Sequence, residues 1–229
     1  MLTGRTAPTS PRPAMPDRSP ASPLRRAVVV LIAVAVTIAL VRALIVQSFV
    51  VPTGSMEPTV QIGDRVLVSR LSYTFGDIHR GDVIVFNGSG VFDAEDDGPD
   101  TLLGSVGRGL ASVFSMPVGS HDYVKRVIGL PGDHVACCDS QGRLTVNGTA
   151  IDEAYVAEGN LPSEVAFDIE VPQDRLWVMG DHRSESADSR AHLGSPGGGT
   201  VPVDRVIGKV AGIYWPVSRI GGLDDGSGR

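Results

Sequence analysis

Residues 27–47, AVVVLIAVAVTIALVRALIVQ, are apolar at almost every position and are interrupted only by Thr37, Arg42 and Gln47. As a helix these residues span about 32 Å at 1.5 Å per residue, close to the ~30 Å hydrocarbon core of a bilayer. The pattern predicts a transmembrane helix over 27–47, with Arg42 extending its guanidinium toward the far interface. A cleaved secretory signal is the competing reading. It fits less well because the preceding segment is long, the apolar run exceeds ~7–15 residues and no A-x-A site follows.

Beyond this run the pattern changes to short alternating stretches broken by Gly, Pro, Asp and Asn. RVLVSRLSY, GDVIVF, YVKRVIG, RLTVNGTAI, DRLWVMGD and DRVIGKVAGIYW each read as strands. Asn147-Gly148, between two such stretches, predicts a hairpin. Long helical periods are scarce, so the expected fold class is mostly β: a coiled antiparallel β-sheet domain over 48–221, after a single N-terminal helix. Residues 1–26 are proline-rich without apolar periodicity and predict a disordered tail, and 222–229 predict a flexible end. Residues 87–122 read as an insertion with an acidic tip and one short amphipathic helix at LLGSVGRGLASVF, which covers a sheet edge or, as the less favoured alternative, rests on the membrane.

Charge orients these parts. The formal net charge is −6, but residues 1–26 carry five arginines against Asp17, whereas 43–229 carry 14 basic and 25 acidic residues. A basic flank before an apolar run marks the cytoplasmic side, which puts the tail in the cytoplasm and the β domain outside the cytoplasmic membrane. An acidic main body argues against nucleic acid as a partner. The only cysteines, Cys137 and Cys138, are adjacent. That spacing excludes CxxC-type metal sites, and the strain of a bridge between neighbours favours two separate thiols, although an exterior location permits a disulfide.

Candidate chemistry narrows to a serine and a lysine. Five scattered histidines and the lack of a G-x-S-x-G elbow give a Ser-His-Asp hydrolase no foothold. Of 20 basic residues only Lys125 and Lys209 are lysines. Arginine cannot be deprotonated in a protein, but a lysine in an apolar setting can act as a base. Strand alternation in DYVKRVIGLPGD puts Tyr123, Lys125 and Val127 on one face and Val124, Arg126 and Ile128 on the other. Taken singly, Ser55 in PTGSMEPT reads as a turn serine and Lys125 as a surface lysine with a buried stem. Their combination with the other motifs is what points to chemistry.

PTGSMEPT followed by IGDRVLV, then DYVKRVIGLPGD and GDHRSESADSR, in this order after an apolar helix, resembles the bacterial type I signal peptidases, the membrane-bound Ser/Lys leader peptidases. The resemblance runs from about Ser48 to Lys209 outside the insertion. It implies a signal-peptidase-like β fold, with Ser55 as nucleophile and Lys125 as general base. It further implies that Thr53 and the Ser55 N–H form the oxyanion hole, that Ser186 orients the lysine amine, and that Asp188 and Arg190 brace the site beside Gly180 and Asp181. No cofactor and no metal are implied. The partners would be the lipid membrane and signal peptides of exported preproteins carrying small residues at −1 and −3 of the cleavage site. His182 stands where the family usually has Asn, and Ser184-Glu185 replace a more common Asp-Asn pair. Met56 is expected to pack at the membrane side of the nucleophile. Two rival readings are a Ser/Lys protease maturing one dedicated substrate or itself, and a non-catalytic membrane-tethered β domain.

Overall fold

Pro23 opens helix α1, Pro23–Leu44, in the computed structural model; a proline at the first helical position gives up only an N–H that no helix bond needs. The structure describes residues 23–44, 46–73, 76–92, 116–117 and 121–223. Of the predicted tails over 1–26 and 222–229, residues 1–22 and 224–229 lie outside the described residues, as do the acidic tip and short helix of the insertion and the Arg42 side chain, whereas 23–26 form the first turn of α1. The large apolar side chains of α1 from Val28 to Ile38 are exposed. Side chains of α1 are described as far as Ile38, and among the described residues no helix is long and apolar enough to cross a membrane.

The predicted 27–47 segment begins later and ends later than α1. Gln47 belongs to strand β1, Val46–Val50, whose backbone pairs antiparallel with β2, Arg65–Ser69. Sheet hydrogen bonds claim these last apolar residues, and hydropathy alone cannot separate a helix end from a strand that follows it directly.

The chain divides into residues 1–38 and 39–229. In the second unit, β1 and β2 are followed by β3 (Val83–Asn87), β4 (Met116–Pro117), β5 (Asp122–Gly129), β6 (His134–Cys137), β7 (Thr145–Val146) and β8 (Thr149–Ala150). Then come β9 (Phe167–Glu170), β10 (Arg175–Met179), β11 (Val201–Pro202) and β12 (Val206–Trp215). One sheet has the order β11-β10-β5-β3-β12-β2-β1-β4, and a smaller one β8-β7-β6-β9. All pairings are antiparallel except β1 with β4, so the domain is mostly β with curled antiparallel sheets, as the alternation predicts. Asn147 and Gly148 take φ of 54° and 76° and close the β7–β8 hairpin, the double left-handed turn that Asn-Gly favours. The strands that sequence did not announce, β1, β4, β6, β9 and β11, are short or merge with neighbouring patterns.

Register positions the site. β5 lies between β3 and β10, with Lys125 opposite Ile84 and Arg126 opposite both Val83 and Met179. β10 ends at Met179, so the segment leaving it begins beside the Lys125 strand. The alternation along β5 is as predicted: Val124 enters one apolar cluster with Met56 and Val66, whereas Tyr123 and Val127 pack in another with Phe86 and Val178. The expectation of two separate thiols gives way, because Cys137 and Cys138 are joined as a disulfide at the end of β6, where adjacency keeps the two sulfurs within reach.

Candidate active site

Ser55 sits in the loop that connects β1 to β2. The loop is closed at its base by Val51 N–H to Asp64 O and Gly63 N–H to Val51 O, and within it turn bonds run from Glu57 N–H to Gly54 O and from Val60 N–H to Met56 O. Met56 and Val60 are buried in the core, which corrects the expectation that Met56 faces a membrane. An apolar residue immediately after Ser55 is captured by the nearest hydrophobic cluster, and it clamps the serine in place. Ser55 itself is 7% exposed.

Lys125 is 3% exposed, and its Nζ lies 2.7 Å from Ser55 Oγ. Nζ also donates to the Val124 carbonyl at 3.1 Å, and the amine stands 5.9 Å from the Tyr123 ring centre. Burial lowers the pKa of the amine from 10.5 to about 8; Asp188 and Asp181 oppose this, and Arg190 adds to it. Near neutral pH the amine therefore deprotonates at far lower cost than a solvated lysine, and it stands in hydrogen-bond contact with the Ser55 hydroxyl.

Thr53 is exposed, with Oγ1 3.4 Å from Ser55 Oγ. Gly180 through His182 lie against Ser55: the His182 N–H donates to the Ser55 carbonyl at 3.1 Å. A Cβ on Gly180 would fall 2.4 Å from that carbonyl oxygen and 2.2 Å from Ser186 Oγ, so only glycine lets this loop approach. Asp188 accepts from the Gly180 N–H at 3.0 Å and from both Nε and Nη2 of Arg190 at 2.9 and 2.7 Å. Burial disfavours the Asp188 carboxylate, but its hydrogen bonds from Arg190, the Arg190 charge and the Gly180 N–H hold its pKa below the usual range.

Ser186 departs from its implied role. Its buried Oγ lies close enough to Asp188 to help lower that carboxyl's pKa, yet it makes no hydrogen bond of good geometry among the described residues, to Lys125 or to any other group. The structure thus brings Ser55, Lys125 and Thr53 together, folds Gly180, Asp181, Asp188 and Arg190 around them, and leaves the Ser186 hydroxyl adjacent but unengaged.

Sequence reasoning missed Arg126. Its guanidinium is wholly buried and bidentate on Asp181, at 2.8 and 2.7 Å, and Thr59 Oγ1 donates to the same carboxylate at 2.5 Å. Alternation correctly turned Arg126 away from Lys125, and that made it look irrelevant. The pairing of a strand arginine with the aspartate of GDH required the β5–β10 register. No group of three or more His, Cys, Asp or Glu side chains among the described residues could hold a metal ion.

Comparison with known proteins bears on this geometry. The family described as "Signal peptidase, peptidase S26" matches residues 24–215. A probable signal peptidase I of Mycobacterium leprae (strain TN) is 37% identical over 208 residues, covering 78% of this chain and 72% of that protein. Signal peptidase I of Mycobacterium tuberculosis (strain ATCC 25618 / H37Rv) is 36% identical over 92% of this chain and 77% of its own length. Signal peptidase I of Bacillus caldolyticus is 34% identical over 78% of this chain and 85% of its own. A crystal structure of a signal peptidase I from Enterococcus faecalis V583 covers 58% of this chain and 97% of that one at 23% identity, with a TM-score of 0.38. With the family match extending across the Ser55 loop, the Lys125 strand and the Gly180–Arg190 segment alike, the chain belongs to the signal peptidase I enzymes of the peptidase S26 family.

Proposed function

We propose that this chain is a membrane-anchored serine endopeptidase that removes signal peptides from exported preproteins with a Ser55/Lys125 dyad. The observation that carries the reading is the 2.7 Å contact between Ser55 Oγ and the amine of a lysine that is 3% exposed. In the forward step, neutral Lys125 takes the Ser55 proton as Oγ bonds to the scissile carbonyl carbon. Thr53 Oγ1 and the Ser55 N–H stabilise the resulting oxyanion. When the C–N bond breaks, Lys125 passes its proton to the leaving amine. Water, deprotonated by the same amine, then attacks the acyl ester and frees Ser55. Asp188, Arg190 and Gly180 hold the loop that grips the Ser55 carbonyl, and Ser186 supplies a nearby hydroxyl that can turn to the amine when substrate reorders the site.

Anchoring rests on α1, which is apolar around its whole circumference from Ala27 to Thr37 and exposes those side chains. Such a surface suits lipid and is costly in water. Only ten residues separate Leu44 from Ser55, so a chain held at the bilayer keeps the nucleophile near the interface where a signal peptide's own apolar core places its cleavage site. With the basic flank in the cytoplasm, the β domain lies on the outer side.

The test is processing of a signal-peptide-bearing preprotein in detergent or vesicles across pH 6–10. The base must be neutral, so kcat/KM should rise with pH through about 8 and then level off. A flat profile, or a Ser55→Ala variant that still processes, overturns the dyad. Thr53→Val, which keeps the bulk and removes the hydroxyl, should lower kcat by about 10²–10³-fold with little change in KM. Thr53→Ser should restore most of the rate.

A further inference from the structure

The segment IDEAYVAEGNLPS, Ile151 to Ser163, joins β8 of the small sheet to β9, and nothing in the nucleophile–base geometry uses it. Yet it is bound to the Gly180–Arg190 loop along most of its length. The Tyr155 ring stacks on the buried Arg126 guanidinium at 4.0 Å, on a cation already bidentate to Asp181. Glu153 takes the Arg183 guanidinium on both carboxylate oxygens, at 2.5 and 3.3 Å, and also accepts from the Tyr155 hydroxyl at 3.2 Å. Arg183 in turn donates to Gly180 O at 2.9 Å and Pro162 O at 2.7 Å. The Ala157 N–H bonds the Asp181 carbonyl, and Asn160 Oδ1 accepts from the Ser184 N–H.

We infer that Glu153 and Tyr155 are positioning residues for the catalytic pair: through Arg183 and Arg126 they hold the Gly180–His182 backbone against the Ser55 carbonyl. The inference deepens the Ser55/Lys125 reading and depends on it.

The path is short at every joint. Tyr155 and Glu153 fix Arg126 and Arg183. Arg126 fixes the Asp181 carboxylate, and Arg183 fixes the Gly180 carbonyl. The intervening peptides then present the His182 N–H to Ser55 O at 3.1 Å, while Gly180 itself comes so close to Ser55 that no side chain fits between them. Arg126 is also the residue next to Lys125 in β5, on the opposite face, so the strand that carries Lys125 is tied to Asp181 through the stacked guanidinium. The arrangement is electrostatically consistent. Burial and the neighbouring Glu153 raise the Tyr155 pKa, so the phenol stays a donor. Burial opposes the Arg183 charge, but the Glu153 hydrogen bonds and charge, with Tyr155 and Asp181 nearby, together raise its pKa. A displacement of about 1 Å transmitted to a nucleophile from outside the reacting groups can cost on the order of 10²-fold in rate. The two arginine pairs are shielded from water, so losing the ring or the carboxylate shifts the loop rather than admitting a solvated substitute.

The test uses the full chain and the preprotein assay, with Tyr155→Leu, Tyr155→Phe, Glu153→Ala and Glu153→Gln. Thermal melts define the temperature at which each variant is fully folded, and kinetics are taken below it. Tyr155→Leu and Glu153→Ala should lower kcat by about 10–100-fold with KM within about threefold of the parent, and should slow labelling of Ser55 by a serine-reactive acyl probe in parallel. Tyr155→Phe keeps the stacked ring and should restore kcat to within a few-fold; Glu153→Gln should fall between Ala and the parent. The inference is overturned if folded Tyr155→Leu and Glu153→Ala retain parental kcat and labelling, or if their deficit lies wholly in KM. If Tyr155→Phe is as slow as Tyr155→Leu, the stacked ring is not the positioning element and the inference is likewise overturned. Failure of the underlying dyad reading appears elsewhere, as processing by Ser55→Ala.

Discussion

Lys125→Met should process no preprotein and yet melt at a higher temperature than the parent at pH 7. The lost activity follows from removing the only group among the described residues in hydrogen-bond contact with Ser55 Oγ able to take its proton, a contribution of about 10²–10⁴-fold for the proton transfer alone. The gain in stability follows from linkage. The amine titrates near 8 in the folded protein and at 10.5 when unperturbed, so between these values the unfolded chain binds more protons and stability rises with pH. Below pH 8 the parent carries the full cost of burying an ammonium, about 3 kcal/mol from that displacement. Methionine removes this term and forfeits about 1 kcal/mol from the bond to the Val124 carbonyl. A net gain of about 2 kcal/mol amounts to several degrees in Tm for a domain of this size, and it should disappear when melts are repeated above pH 10.5, where the parent lysine is neutral in both states. Equal Tm values at pH 7 would mean that the lysine is not buried as a charge. Lys125→Arg separates the two effects, since it should lose activity and gain no stability.

Asp181→Ala should be the most destabilising single change in the Gly180–Arg190 loop. It leaves the Arg126 guanidinium fully buried with its carboxylate gone, a situation that costs about 3–5 kcal/mol. It also orphans the Thr59 hydroxyl. Denaturant melts should show the midpoint fall by an amount matching that loss. Adding Arg126→Met should recover much of it, because an apolar side chain of similar length suits the same cavity. The double variant should nevertheless process poorly, since the tie from β5 to the loop at the Ser55 carbonyl is missing. Recovery of stability and activity together would show that the ion pair serves folding alone.

Much of the site was legible along the chain. Taken singly Ser55 reads as a turn serine and Lys125 as a surface lysine, and it is the ordered set PTGSMEPT, DYVKRVIGLPGD and GDHRSESADSR that singled them out. The β class followed from alternation, and the hairpin at Asn147-Gly148 from the turn chemistry of that dipeptide. Arg126, Glu153 and Tyr155 were not legible. An arginine on the face opposite the base, and a glutamate and a tyrosine in an irregular segment, have no local signature. The same holds for β1, whose Val46–Val50 continues the apolar run of α1 until strand pairing is known.

The sequence by itself determined which residue types were present to do acyl-transfer chemistry, the faces of β5 on which Lys125 and Arg126 lie, and the apolar length of the N-terminal run, because these depend only on identity and short-range periodicity. The tertiary structure decided the 2.7 Å between Ser55 and Lys125, 70 residues apart in sequence, and the lowering of the amine's pKa. It also decided that a segment next to the small sheet packs on Arg126 and Arg183, beside the loop that meets Ser55. Distance, burial and charge pairing are set by which distant strands share a register, and that information resides in the packed sheet rather than in any window of the chain.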